Sequence, residues 1–425
     1  MKFGVAKDLI TPDLLTHMGG YGSFFDNCFQ GIHDDLYVRT LLLDDGVNRM
    51  LMISLDLLFH DYALTETVKD YAREKFAIDP DYVFLSYSHT HGGPAVRGYD
   101  DSSQHSEPYE AFLLQRICSS INRAMVNLFE GTIEHGAIEG DWNINRRRMV
   151  GGKIENKPNP DGEKDDGLHL LRIRNRVGDT KAILVHYACH PVTVRDTMYI
   201  SGDFPARVCH LLEAELFGST AIFFQGAGGN ARPKITAKGS EFATCTYGDM
   251  NELSLSIAQR IKDALHACHV FSPLALQLEA RQFQIPIEIE PFSKAHIERI
   301  ALDDKCFPGT RRIASKVLEQ YERLPDEALL PAGLVRLAEG RYMAWMGGEP
   351  CYEVKKKLEA ALGVGRLIFV GYMDSTAYIP DDSIIAEGGY EASESALEYG
   401  LKGGFKPGID RRIAEAFMRQ LRSFE

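Results

Sequence analysis

His89-Thr90-His91 sets two imidazoles two residues apart at the end of an apolar run, Val83-Phe84-Leu85-Ser86-Tyr87. In an extended chain, residues i and i+2 project to one face. Both rings can then converge on one metal, or one can bind metal while the other meets a substrate. Gly92-Gly93-Pro94 follows and leaves little side-chain bulk to block a ligand. Metal-ligating histidines are neutral, with the second ring nitrogen held by an outer acceptor. Taken alone, the pair is equally two polar histidines at a strand end.

His190-Pro191 closes a second apolar run, residues 182–189. His186 competes for the same role, and periodicity does not choose between them. Gly347-Gly348-Glu349-Pro350 adds a carboxylate, and zinc sites commonly combine histidine nitrogens with one carboxylate. Tyr372, Tyr378 and Tyr390 add phenols near strand ends. Gly226-Ala227-Gly228-Gly229-Asn230 matches neither the Walker pattern nor GxGxxG. It reads as a tight turn lining the site, its glycines permitting unusual backbone angles.

The elements that must position these residues alternate between short apolar runs and helical patterns, which is an α/β (mixed) arrangement of β-sheets flanked by helices. Strands are expected at 40–43, 50–58, 82–87, 170–174, 181–188, 220–225 and 366–372, with 274–289 extended. Helices are expected at 62–76, 111–130, 206–215, 251–267, 355–362 and 413–424. The stretch 294–339 reads as mainly helical, broken at Pro308 and Pro331. Neither a repeat nor a low-complexity linker interrupts the chain. The simplest organisation is one catalytic domain over residues 1–425 with a helical insertion around 290–345.

Apolar residues make up 44% and charged residues 25% of the 425, close to ordinary globular values. The formal charge of -13 argues against nucleic acid as a partner. Arg146-Arg147-Arg148 is too short a basic cluster to reverse that. No apolar run reaches the eighteen or so residues of a membrane span. The first residues, Met1-Lys2-Phe3-Gly4-Val5-Ala6-Lys7-Asp8, lack a signal-peptide apolar core. The eight cysteines are scattered without CxxC spacing, as free thiols in a reducing compartment would be. A cytoplasmic location is the corresponding expectation.

Five segments together resemble the catalytic domain of neutral, non-lysosomal ceramidases. They are Gly31-Ile32-His33, Ser88-His89-Thr90-His91-Gly92-Gly93-Pro94, Asn143-Ile144-Asn145-Arg146, His190-Pro191, and Gly348-Glu349 followed by Tyr378 and Tyr390. They occur in the family's order and cover essentially the whole chain. The resemblance implies a ceramidase-like fold and one zinc ion per chain, held by His89, His190, Glu349 and Tyr378. It places His91, Arg146 and Tyr390 around the scissile carbonyl, with His33, Ser201, Asp203 and Asn230 near the substrate. The implied activity is hydrolysis of an amide (N-acyl) bond by metal-activated water.

That chemistry is coherent on general grounds. Zinc lowers the pKa of bound water from about 15.7 to about 7 and polarises a carbonyl. Attack on an amide builds negative charge on oxygen, which needs donors such as His91, Tyr390 and Arg146. His91 can deliver a proton to the leaving amine. Glu349 and His91 both remain candidates for taking the water proton.

Three departures bear on the substrate. The family's serine aligns on Gly202, with Ser201 one residue earlier, and its later aspartate reads Asn230. The C-terminal β-sandwich and secretory signal of extracellular members are not expected here. Whether ceramide itself is cleaved is therefore open, and the partner is a small-molecule or lipid-like N-acyl compound. The alternatives are a metal-dependent esterase or lactonase, or a metal- or ligand-binding protein without turnover.

Overall fold

In the computed structural model, the described residues are 1–20, 27–98, 105–195, 197–267, 269–365 and 367–424. A nine-stranded sheet runs Thr220–Gln225, Thr180–Tyr187, Gly167–Asn175, Phe129–Glu139, Lys2–Leu9, Tyr37–Asp44, Arg49–Leu55 and Val83–Tyr87, with Phe271–Leu274 added beside Phe129–Glu139. Only two of its pairings are parallel: Thr180–Tyr187 with Thr220–Gln225, and Arg49–Leu55 with Val83–Tyr87. These sit at opposite ends of the strand order. The sheet curls so that the two ends meet, and the Ser54 hydroxyl donates to the Phe223 carbonyl at 2.5 Å. Val83–Tyr87 is buried at every residue. That is why it reads as a continuous apolar run rather than an alternating one.

A five-stranded sheet, ordered Ile368–Val370, Arg341–Met346, Glu327–Ala338, Glu279–Pro291, Gly403–Phe405, packs against this seam. The Tyr87 amide donates to the Tyr372 carbonyl (3.1 Å), and the Gly371 amide donates to the Gln225 carbonyl (3.0 Å). The carboxyl ends of strands from both sheets therefore meet at one place. The helices Tyr62–Phe76 and Glu107–Val126 cover one flank, Asp203–Glu215 and Tyr247–His266 another. Tyr352–Leu362 and Ile409–Arg422 pack together beside the five-stranded sheet. Asp61 caps the helix Tyr62–Phe76 by accepting from the Leu64 amide, which typically stabilises a helix by about 1 kcal/mol. No described helix is long and apolar enough to cross a membrane.

The α/β expectation holds, with one correction. The stretch 294–339 is not mainly helical. Helices occupy Lys294–Leu302 and Pro308–Gln320 only, and Glu327–Ala338 and Arg341–Met346 are strands. Pro331 falls inside Glu327–Ala338, a strand paired on both sides by Glu279–Pro291 and Arg341–Met346. The apolar run from Leu329 to Leu337 lies in that core sheet, a pattern that a buried helix would share. Residues 366–372 form a strand at Ile368–Val370, and Arg366 lies outside the described residues. Seven cysteines are free thiols, and Cys268 lies outside the described residues.

Candidate metal centre and cavity

His89 sits two residues past the end of Val83–Tyr87, with a left-handed backbone (φ 66°). Its amide donates to the Leu57 carbonyl, which fixes the turn. So the two histidines of the pair do not lie on one extended strand as their spacing suggests. The turn itself brings their rings together, 4.9 Å apart and perpendicular. A non-glycine residue at positive φ typically costs about 1–3 kcal/mol and clusters at functional sites.

Each ring is aimed by a backbone acceptor. His89 Nδ1 lies 2.9 Å from the Leu58 carbonyl, His190 Nδ1 2.9 Å from the Gly228 carbonyl, and His91 Nδ1 2.6 Å from the Gly20 carbonyl. A carbonyl can only accept, so each Nδ1 carries the proton and each Nε2 presents a lone pair. Burial, with Arg146 next, lowers the His190 pKa to about 4 and keeps its ring neutral. Burial, with His89 and His190 beside it, likewise holds His91 well below its usual value. Gly20 (φ 101°) makes the close approach possible: a Cβ there would lie 2.7 Å from the His91 carbonyl oxygen.

The lone pairs converge. His89 Nε2 and His190 Nε2 are 3.2 Å apart, and Glu349 Oε2 lies 3.2 Å from the first and 3.1 Å from the second. Tyr378 Oη is 3.2 Å from His190 Nε2. Ligand-capable nitrogens of His89, His91 and His190 all fall within 4.8 Å of one another. Glu349 Oε2 is buried and accepts no hydrogen bond among the described residues. Buried acceptors at such distances repel one another unless a cation stands among them. Two imidazoles, a carboxylate and a phenol are a donor set that fits zinc or another borderline divalent metal.

The carboxylate is positioned from two sides. Gly348 (φ 68°) turns the chain where a Cβ would meet the Ala377 carbonyl at 2.3 Å, and Glu349–Pro350 then pairs in parallel with Tyr378–Ile379. That bridge sets Glu349 directly beside Tyr378. The Tyr399 hydroxyl donates to Glu349 Oε1. Tyr399 was not legible in the sequence. It lies in a short 3-10 turn, and neither spacing nor motif marks it.

Arg146 donates from Nε to Glu391 Oε1 at 2.6 Å, and its guanidinium lies 5.2 Å from the Tyr378 ring centre and 5.7 Å from that of Tyr390. The Tyr390 ring is 5.3 Å from that of Tyr378, but its hydroxyl donates to Glu398 Oε2 at 2.6 Å. Arg146, Tyr378, Tyr390 and Glu398 line a cavity of about 440 Å³ together with His89, His91, His190 and Glu349. Leu58, Phe59, Val96, Phe307 and Ile313 supply apolar wall.

Four expected substrate neighbours are elsewhere: none of their side chains lines the cavity. His33 stacks on Tyr247 (3.6 Å) and bonds Asp34. Ser201 donates to Asp34, and its backbone bridges Gly92 behind the histidine turn. Asp203, at the first turn of Asp203–Glu215, accepts from the Thr193 and Val194 amides. The Asn230 side chain joins Glu353 and the Tyr352 amide. The family resemblance places them near the substrate, and here they brace the loops of the site. His186 Nε2 meets the Phe369 carbonyl at 2.7 Å within the core, which leaves His190 as the strand-end ligand candidate.

Residues 2–269 match the family model described as neutral/alkaline non-lysosomal ceramidase, N-terminal. Neutral ceramidase A of Dictyostelium discoideum is 25% identical over 232 residues, 51% of this chain and 32% of that protein. The alignment thus spans about a third of the relative's length. The crystal structure of neutral ceramidase from Pseudomonas aeruginosa superposes with a TM-score of 0.75 at 18% identity, covering 98% of this chain and 73% of that one. A ceramidase structure in complex with C2 gives 0.76 at 19%, covering 98% and 74%. The fold likeness extends beyond residue 269 to the segments that carry Glu349, Tyr378 and Tyr390. The chain belongs to the neutral/alkaline non-lysosomal ceramidase family.

Proposed function

We propose that this chain is a zinc-dependent hydrolase of N-acyl (amide) bonds. The observation that carries the reading is the convergence of His89, His190, Glu349 and Tyr378 on one point in the lining of a part-apolar cavity. Family membership supports the amide as the bond cleaved. Zinc held by these four side chains supplies acidified water and a Lewis acid for the carbonyl.

The remaining steps fall to the chain. His91 is neutral, protonated at Nδ1 by its bond to Gly20, and offers Nε2 toward the centre. It takes the proton of the attacking water. Glu349 does not compete for that role, since Tyr399 occupies one oxygen and the other faces the imidazoles. Arg146 stays cationic beside Tyr378 and stabilises the negative charge that grows on the carbonyl oxygen. A new C–O bond to the water oxygen forms, the C–N bond breaks, and His91 returns its proton to the amine. The products are a carboxylate and a free amine.

The test is amine release from N-acyl substrates by protein purified without chelator, before and after metal stripping. Activity lost on stripping and restored by zinc supports the reading. Amide hydrolysis that persists in fully stripped protein overturns the metal dependence, and hydrolysis of esters only moves the chain to the esterase class.

A further inference from the structure

Gln225 is the last residue of the strand Thr220–Gln225 and is wholly buried, yet it takes no part in the proposed chemistry. Its strand pairs in parallel with Thr180–Tyr187, and the register ends with Tyr187 opposite Gln225. The Gln225 side chain then continues the pairing. Its Oε1 accepts from the Cys189 amide (3.1 Å), and its Nε2 donates to the Cys189 carbonyl (2.7 Å). Only one orientation of the side-chain amide satisfies both bonds, since an N–H must meet an oxygen and a carbonyl must meet a donor. Gln225 so imitates one more peptide group of the strand and fixes Cys189, the residue before His190.

The contacts of Gln225 reach the other ligand segments too. Its Nε2 lies 3.5 Å from the carbonyl of Ser88, the residue before His89. Its own carbonyl accepts from the Gly371 amide (3.0 Å), and the next amide, that of Tyr372, donates to the carbonyl of Gly348, the residue before Glu349. Tyr372 holds a left-handed backbone (φ 60°) there, with its carbonyl bonded by the Tyr87 amide. One buried side chain and its backbone thus tie together the residues that precede three of the four candidate ligands. Cys189 is buried, so its peptide groups have no water to turn to if Gln225 lets go. A metal centre needs its ligands held within about 0.5 Å of their working positions. Resting on the metal-centre reading above, we infer that Gln225 is a positioning residue, whose side-chain amide sets the spacing of the His89 and His190 rings by clamping Cys189 and Ser88.

Gln225→Met keeps the length of the side chain and removes these bonds. Zinc affinity, measured by competition with a chelator, is expected to fall by about tenfold or more, and the visible absorption of the cobalt(II) form is expected to differ from that of the wild type. Ser120→Ala is the control. It breaks an equally buried bond, to Thr40 Oγ1 (2.8 Å), outside the centre, and should lower thermal stability while leaving zinc affinity and the cobalt spectrum unchanged. Gln225→Asn, whose amide is one methylene short of Cys189, carries the test if Gln225→Met fails to fold. Wild-type zinc affinity and cobalt spectrum in the folded variant overturn the proposal and leave Gln225 a partner of strand-end backbone only. If the wild type binds neither metal, the metal reading is what fails. Crystal structures of the wild type and the variant then judge the clamp: an Nε2 to Nε2 separation of 3.2 Å kept without Gln225 ends it, and a widened one sustains it.

Discussion

His89 and His190 face each other through Nε2 atoms 3.2 Å apart, each ring having given its Nδ1 proton to a backbone carbonyl. Two neutral imidazoles so held cannot share a hydrogen bond. Removing either should break the convergence on Glu349 Oε2, which lies 3.2 Å from His89 Nε2 and 3.1 Å from His190 Nε2. His190→Ala is expected to abolish amide hydrolysis while leaving the fold intact by circular dichroism. A His190→Ala protein with wild-type turnover would remove the histidine from the site.

Tyr399 acts on the centre through Glu349 rather than directly. Partners of this kind typically alter metal affinity by about 10–100-fold. Tyr399→Phe should therefore weaken metal binding by that order and regain most activity when metal is added in excess. An activity loss that excess metal does not repair would mean that the hydroxyl touches the substrate instead.

Tyr390 already donates to Glu398. A hydroxyl committed there contributes less at the carbonyl than a free donor would. Tyr390→Phe should keep the metal and lower kcat by about tenfold, less than the roughly 10²–10³ of a direct oxyanion donor. A loss at or above that larger range would show that the hydroxyl swings to the carbonyl during reaction.

Sequence patterning exposed the parts of this molecule that depend on local geometry. The helix Tyr62–Phe76 and the strand Thr220–Gln225 fall where periodicity places them. His89, His190, Glu349 and Tyr378 converge although 289 residues separate the first from the last, and the family resemblance, not spacing, brought them together. What stayed hidden was long-range. Nothing near Tyr399 signals that it meets Glu349, fifty residues away. The strand Glu327–Ala338 reads as helix in sequence because a doubly covered strand loses its alternation. Ser201 and Asp203 are expected near the substrate from the family resemblance, yet their side chains turn to Asp34 and to backbone amides.

Stability should depend on pH through His60, which is held between Asp61 Oδ1 (2.8 Å) and Glu110 Oε2 (2.7 Å). Burial opposes its charge, but the two carboxylates prevail and lift its pKa from 6.5 to about 9. A histidine that binds its proton more tightly when folded stabilises the fold fully below its unfolded value. That stabilisation, on the order of 3 kcal/mol, is lost as the pH climbs from 6.5 through about 9. Thermal unfolding followed across this window should show a falling midpoint, and His60→Gln should flatten the fall. A midpoint that rises with pH in the wild type, or a slope unchanged in the variant, would contradict the assignment.

The central claim is that His89, His190, Glu349 and Tyr378 hold one metal ion. Elemental mass spectrometry on protein purified without chelator or histidine tag, comparing wild type with His89→Ala and Glu349→Gln, tests it most directly. The account predicts about one zinc per chain in the wild type and little in either variant. Wild-type protein without metal that also fails to take up added zinc, or variants that keep a full equivalent, would contradict it.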